Sequence, residues 1–178
     1  LTLQTQTLPG FVGEGAEGRL KDPVPEMLSL IADPDRLGAL PQTLQALDQA
    51  AWSVRDRLSA DTWRVVNDIE TCLRSLTKQP PRELSAALDV LDPLVTSLVA
   101  FSALTHENMT HNEGWHFLEA GRRLERGANL TTLLRATLVP VITEGEETLV
   151  VEGVLGVTDS LITFRRRYQA GTRVGALL

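Results

Sequence analysis

The spacing of the apolar residues limits this chain more than any other feature. Leu44, Leu47, Ala51, Val54 and Leu58 recur every three or four positions, and Trp63, Val66, Ile69, Leu73 and Leu76 continue the rhythm. Such a repeat lays an apolar stripe along a helix and does not suit a strand, whose sides alternate every second residue. Aromatic residues make up only 4% of the 178 positions, so a core must be built mainly from Leu, Val and Ala. Leu and Ala favour helices.

Capping and breaking residues divide the chain. Residues 1–21 carry Thr, Gln and scattered Gly without helical period and read as a loop or linker, leaving 22–178 as one helical domain. Asp22-Pro23 fits a cap followed by a first-turn proline and predicts a short helix over 24–32, ended by Asp33-Pro34-Asp35. Leu40-Pro41 opens a helix to about Leu58. Ser59 to Thr62 is a break with capping residues, and a further helix runs to about Thr77. Lys78-Gln79-Pro80-Pro81 is a linker, because two prolines cannot continue a helix. Pro93 is expected to start a new helix with Asp92 as its cap. His111 to Gly114 is a weak break, and 114–138 is the strongest helical stretch, stopped by Pro140. Glu144-Gly145 reads as a turn. Residues 148–168 fit either strands, by their β-branched content, or a helix, by their spacing. The expected fold is all-α, a bundle of about six or seven helices.

Composition narrows the function classes. With 43% hydrophobic and 22% charged residues the chain is not a disordered tail. A net charge of -6 disfavours a nucleic-acid surface. The longest uncharged apolar stretch, 93–105, is too short to span a bilayer, and the single Cys72 forms no internal disulfide. These observations predict a soluble, cytoplasmic protein that contacts neither membrane nor nucleic acid. The chain starts at Leu1 and stops within an apolar run, so it is expected to be an internal fragment, incomplete at both ends. Exposed apolar faces would then leave it marginally stable or self-associating.

Few residues point to chemistry. His106, His111 and His116 lie five apart, about 140° round a helix, so they do not share a face. Glu107 and His111 are one turn apart and could share a metal, but a pair is not a metal site. Cys72 sits among apolar residues and reads as a core residue rather than a nucleophile. No phosphate-binding loop, dinucleotide fingerprint or serine elbow is present.

The informative stretch is 114–127. Projected on a helix, Phe117, Gly121, Leu124 and Ala128 share a face, and Glu125 points toward its buried side while Glu119, Arg123 and Arg126 point away. A buried carboxylate needs a cation, and Arg122 is one turn back. Gly121 suggests close approach of another helix. The pair is then either a structural ion pair that fixes packing or an Arg/Glu site for a charged substrate.

The run from Thr105 to Arg126 resembles the bacterial alpha-E domain family, at Glu107, Met109, Gly114, Trp115, Phe117, Leu118, Gly121, Arg122, Glu125 and Arg126. Val54-Arg55-Asp56-Arg57-Leu58-Ser59 with Trp63 and Asn67, and Asp159 to Tyr168, are similar to two further segments of that family. Three departures stand out. The family's first helix, with a second Glu-Arg motif, and its Asp-x-x-Asn-Pro-Arg-Ser segment have no counterpart here, and Thr110-His111 stands where the family usually has an arginine. The resemblance implies a helical domain encoded beside, or fused behind, a circularly permuted ATP-grasp ligase, often with a transglutaminase-like protease nearby, in a peptide-modifying or amide-bond-forming system. It brings no established catalytic activity to the helical domain and no cofactor, ATP and Mg belonging to the ligase.

Three roles are therefore expected to compete. One is a non-catalytic docking or acceptor-binding module, in which Arg122, Glu125 and Arg126 fix the bundle and Glu107, Trp115, Arg165 and Arg166 line a surface. The second is an enzyme subunit with Glu107 or Glu125 as general base and Arg122 or Arg166 holding a carboxylate or acyl phosphate. The third is a metal-binding bundle using Glu107 and His111.

Overall fold

The Asp22 carboxylate accepts the Val24 N–H at 3.3 Å and starts the first helix, α1, Pro23–Ala32. The computed structural model describes residues 22–138 and 144–168. The expected loop at 1–21 and the stop at Pro140 lie outside the described residues. Within them the chain forms seven α-helices and no strand: α1, α2 Leu40–Ser53, α3 Ala60–Lys78, α4 Leu84–Asn108, α5 Glu113–Leu138, α6 Glu144–Val157 and α7 Leu161–Arg167. The all-α expectation holds, and both halves of 148–168 are helical rather than extended. The chain divides into two units between Leu118 and Glu119, within α5.

In the first unit α3 packs on both α2 and α4, and α1 packs on α2 and α4. The core is Leu44 of α2, Ile69 and Leu76 of α3 and Leu94 of α4, with Val65, Leu73, Val90, Leu98 and Phe101 around it. Three of those four core residues come from the spacing that begins at Leu44. Arg36, in the α1–α2 loop, reaches back to α1. Its guanidinium donates to the Glu26 backbone carbonyl at 3.5 Å and forms an ion pair with the Glu26 carboxylate. Both side chains are nearly buried, at 12% and 10% exposure.

Two boundaries differ from expectation. The second helix stops at Ser53, not Leu58, and the chain tightens into a 3-10 turn, Arg55–Arg57. Ser53 Oγ donates to the Ala50 carbonyl at 2.7 Å and Val54 leaves helical geometry, so Val54 and Leu58 drop out of the stripe. Ser59 then caps α3, its Oγ accepting the Thr62 N–H at 3.1 Å.

Pro93 does not start a helix but lies inside α4. Its ring removes the amide that would bond the carbonyl of Asp89, an exposed residue. Ala87, Val90, Leu91, Leu94 and Leu98 pack on the core from both sides of the proline, and their burial holds the helix continuous. Replacing Pro93 by Ala should therefore stabilise the unit by about 2 kcal/mol, the ~3 kcal/mol interior cost of proline less the looser unfolded chain. Urea unfolding followed by circular dichroism would show it, and an unchanged midpoint would contradict it. An adjoining face of α4 exposes Leu84, Leu88, Val95 and Val99. By length and composition alone this helix could cross a bilayer, although the uninterrupted apolar run within it could not. One side of it packs along α3.

In the second unit α6 packs on α7 around Val151, Leu155 and Phe164. The expected turn at Glu144-Gly145 is instead the first turn of α6. At its end Asp159 takes a left-handed conformation (φ 52°). The Ser160 N–H reaches the Leu155 carbonyl at 2.9 Å and the Asp159 N–H that of Gly156 at 3.1 Å, closing the helix with a Schellman turn.

Candidate functional site

The expected site residues fall at three places. Glu107 and Trp115 flank the α4–α5 turn in the first unit. Thr105, fully buried near the end of α4, bonds back to the Phe101 and Ser102 carbonyls at 2.8 and 3.0 Å. Asn112 then caps α5, its Oδ1 accepting the Gly114 N–H at 3.0 Å and its carbonyl the His116 N–H at 3.1 Å. His111 clasps this turn. Its Nε2 lies 2.8 Å from the His106 carbonyl, and its ring stacks on Trp115 with centroids 3.9 Å apart. His106 and His116 approach Trp115 at 5.8 and 5.1 Å, so three histidines that share no helical face gather round one indole. Glu107 is exposed on the last turn of α4. Among the described residues no group of three or more His, Cys, Asp or Glu could hold a metal, so the Glu107–His111 pair gains no third ligand there.

Two segments singled out in the sequence meet at this turn. Arg57, from the 3-10 turn, lies over Gly114, where an added Cβ would come 3.1 Å from its Nη1. Arg55 sits beside a Trp52–Trp63 edge contact, its guanidinium 5.1 and 5.3 Å from the two ring centroids, a cation–π arrangement. Sequence reasoning missed His111, Arg55 and Arg57 as contact residues. The runs containing them were legible, but their partners depend on how the turns fold.

In the second unit Arg122, Glu125 and Arg126 lie on an exposed stretch of α5. The helical projection expected Glu125 near a buried face, but Phe117 and Leu124 of that face are 79% and 74% exposed. Periodicity identifies an apolar face without showing what covers it. Gly121 has open space where a side chain would begin, so it marks no close helix approach. Arg122 pairs instead with Glu119 at 2.8 Å, and Arg123 reaches the same carboxylate at 3.4 Å. Glu125 and Arg126 form no ion pair among the described residues and stand in solvent. On α7, Arg165 meets Glu152 at 3.5 Å in an exposed pair worth little stability, and Arg166 is exposed.

Two titratable groups elsewhere are perturbed. Cys72 packs beside the core and points its thiol at the Val90 carbonyl, 3.7 Å away, and burial pushes its pKa up, which suits a packing residue rather than a nucleophile. Asp48, half-buried on α2, has its pKa raised by burial and by the Glu70 carboxylate, with Arg74 pulling the other way. The folded chain therefore holds the Asp48 proton more tightly than the unfolded chain. That contribution to stability is present at acid pH and is lost as pH rises through the folded pKa. Asp48→Asn should raise the melting temperature at neutral pH and leave it unchanged near about pH 2, where the carboxyl is protonated in both states. An equal effect at both pH values would contradict this.

The fold and the exposed Glu-Arg segment define the class, an all-helical domain with charged residues displayed on one long helix. Residues 4–178 match the model of the Alpha-E family, described as a predicted alpha-helical domain with a conserved ER motif, and the chain belongs to that family. It is also similar to uncharacterized proteins of Mycobacterium tuberculosis and Mycobacterium bovis. Each is 38% identical over 143 residues, covering 78% of this chain and 16% of the relative. The chain therefore spans under a fifth of the length of these curated relatives. No solved structure matches it.

Proposed function

We propose that this chain is a non-catalytic helical module that works with a circularly permuted ATP-grasp ligase, docking the ligase or presenting the amine acceptor in a peptide-modifying or amide-bond-forming system. ATP and Mg belong to the ligase, a transglutaminase-like protease is a further partner, and the module acts in the cytoplasm. One observation supports this above the others. The segment bearing the family's Glu-Arg motif stands in solvent, with Phe117 and Leu124 exposed on the same helix as Arg122, Glu125 and Arg126. Aromatic and arginine side chains on an exposed helix suit a protein interface. The length of the relatives is in keeping with a module that serves within larger proteins.

The reading of Glu125 as a general base draws less support, because its side chain is exposed to solvent. Capture by a circularly permuted ATP-grasp protein from the same genome tests both. Phe117→Ser with Leu124→Ser should reduce capture at least about tenfold, a modest loss for two interface anchors. Undiminished capture would place the docking surface elsewhere. Glu125→Gln should leave product formation within about twofold, since general bases typically contribute 10²-fold or more. A large loss with intact capture would favour the enzyme reading.

A further inference from the structure

An open groove of about 480 Å³ runs between α2 and α3 of the first unit. That volume lies within the ~300–1,000 Å³ of small-molecule sites. Pro41 and Leu73 give it apolar wall, and Asp48, Glu70, Arg74 and Lys78 give it charge. The four charges are not equivalent. Arg74 donates twice to Glu70, from Nε at 3.1 Å and from Nη2 at 2.5 Å, so these two largely neutralise each other. Asp48 and Lys78 have no hydrogen bond or ion pair among the described residues. Outside that pair the groove is lined by one carboxylate, Asp48 on α2, which Arg74 also attracts, and one ammonium, the exposed Lys78 in the last turn of α3.

We infer that this groove binds a zwitterionic amino acid or short peptide, its ammonium on Asp48, its carboxylate on Lys78 and its body against Leu73 and Pro41. An amine with no carboxylate leaves Lys78 unmet, and a simple anion leaves Asp48 unmet. Burial and Glu70 disfavour the Asp48 charge while Arg74 favours it, and an arriving ammonium would offset the Glu70 repulsion. The site deepens the acceptor-binding side of the proposed function, and rests on that reading only for what becomes of the ligand.

The test uses the whole chain, ¹⁵N-labelled, titrated with L-alanyl-L-alanine at neutral pH and followed by amide chemical shifts. The expected shifts centre on Asp48, Leu73, Arg74 and Lys78. N-acetylation of the dipeptide, C-terminal amidation, Asp48→Asn and Lys78→Gln should each weaken binding about tenfold, the scale of one charge-assisted hydrogen bond. Lys78 is exposed, so its variant keeps the fold. No shift at millimolar dipeptide, or shifts indifferent to acetylation and to Asp48→Asn, would overturn the assignment. The ligase takes no part in this measurement, so a failure here leaves the docking surface untouched, and a failure of ligase capture leaves the groove untouched.

Discussion

Arg36→Met lowers the stability of the first unit by about 3–5 kcal/mol, the usual penalty for breaking a nearly buried ion pair. Arg36 is the guanidinium that ties the α1–α2 loop to the Glu26 carboxylate, with both side chains nearly out of water. Its removal takes from Glu26, 9% exposed, the guanidinium that neutralises its carboxylate on a helix that packs against α2 and α4. Protonation would relieve part of the penalty, so the loss should shrink as pH falls toward the ordinary carboxylate range. The double variant Glu26→Leu with Arg36→Met should recover most of the stability, because a well-packed apolar pair avoids the desolvation altogether. Denaturant unfolding of the two single variants and the double variant measures the coupling directly. Single-variant losses below about 1 kcal/mol would mean the pair behaves as a surface contact.

The second large effect belongs to the core. Leu76→Ala should cost about 2–5 kcal/mol, the transfer of the lost methyl groups plus the cavity they leave. Leu76 is fully buried among Ile69, Leu44 and Leu94, at the junction of three helices. The useful contrast is Leu124→Ala, the same chemical change at a side chain 74% exposed, which should stay within about 0.5 kcal/mol. Thermal unfolding of the two variants separates a leucine that holds the fold from one that faces outward. Equal losses would mean that Leu124 is covered, and the docking reading would lose its main support.

Local signals were legible where one residue decides a boundary. Asp22, Ser59 and the pair Pro80-Pro81 each act within one turn of themselves, and each marks an element end in the structure. Pro93 misled because its local cost is outweighed by apolar packing on both sides of it, which no local rule weighs. Glu125 misled because a helical face can be apolar and still lack a cover. The contacts of the candidate sites were the least legible. Glu26 and Arg36 lie ten positions apart across a loop, and Asp48 faces Glu70 only because α2 and α3 lie side by side. His111 meets Trp115 through a turn whose path depends on Asn112.

The contact of Arg57 with Gly114 has a consequence for related sequences. A side chain at 114 would begin 3.1 Å from the Arg57 guanidinium and 3.8 Å from its Cδ, so the two positions compete for one volume. Alanine at 114 requires the Arg57 guanidinium, and the Asn112 carboxamide 3.3 Å away, to give by a few tenths of an ångström. The two positions should therefore vary as a compensating pair, a bulkier residue at one accompanied by a smaller residue at the other, although 56 intervening residues keep them from being neighbours along the chain.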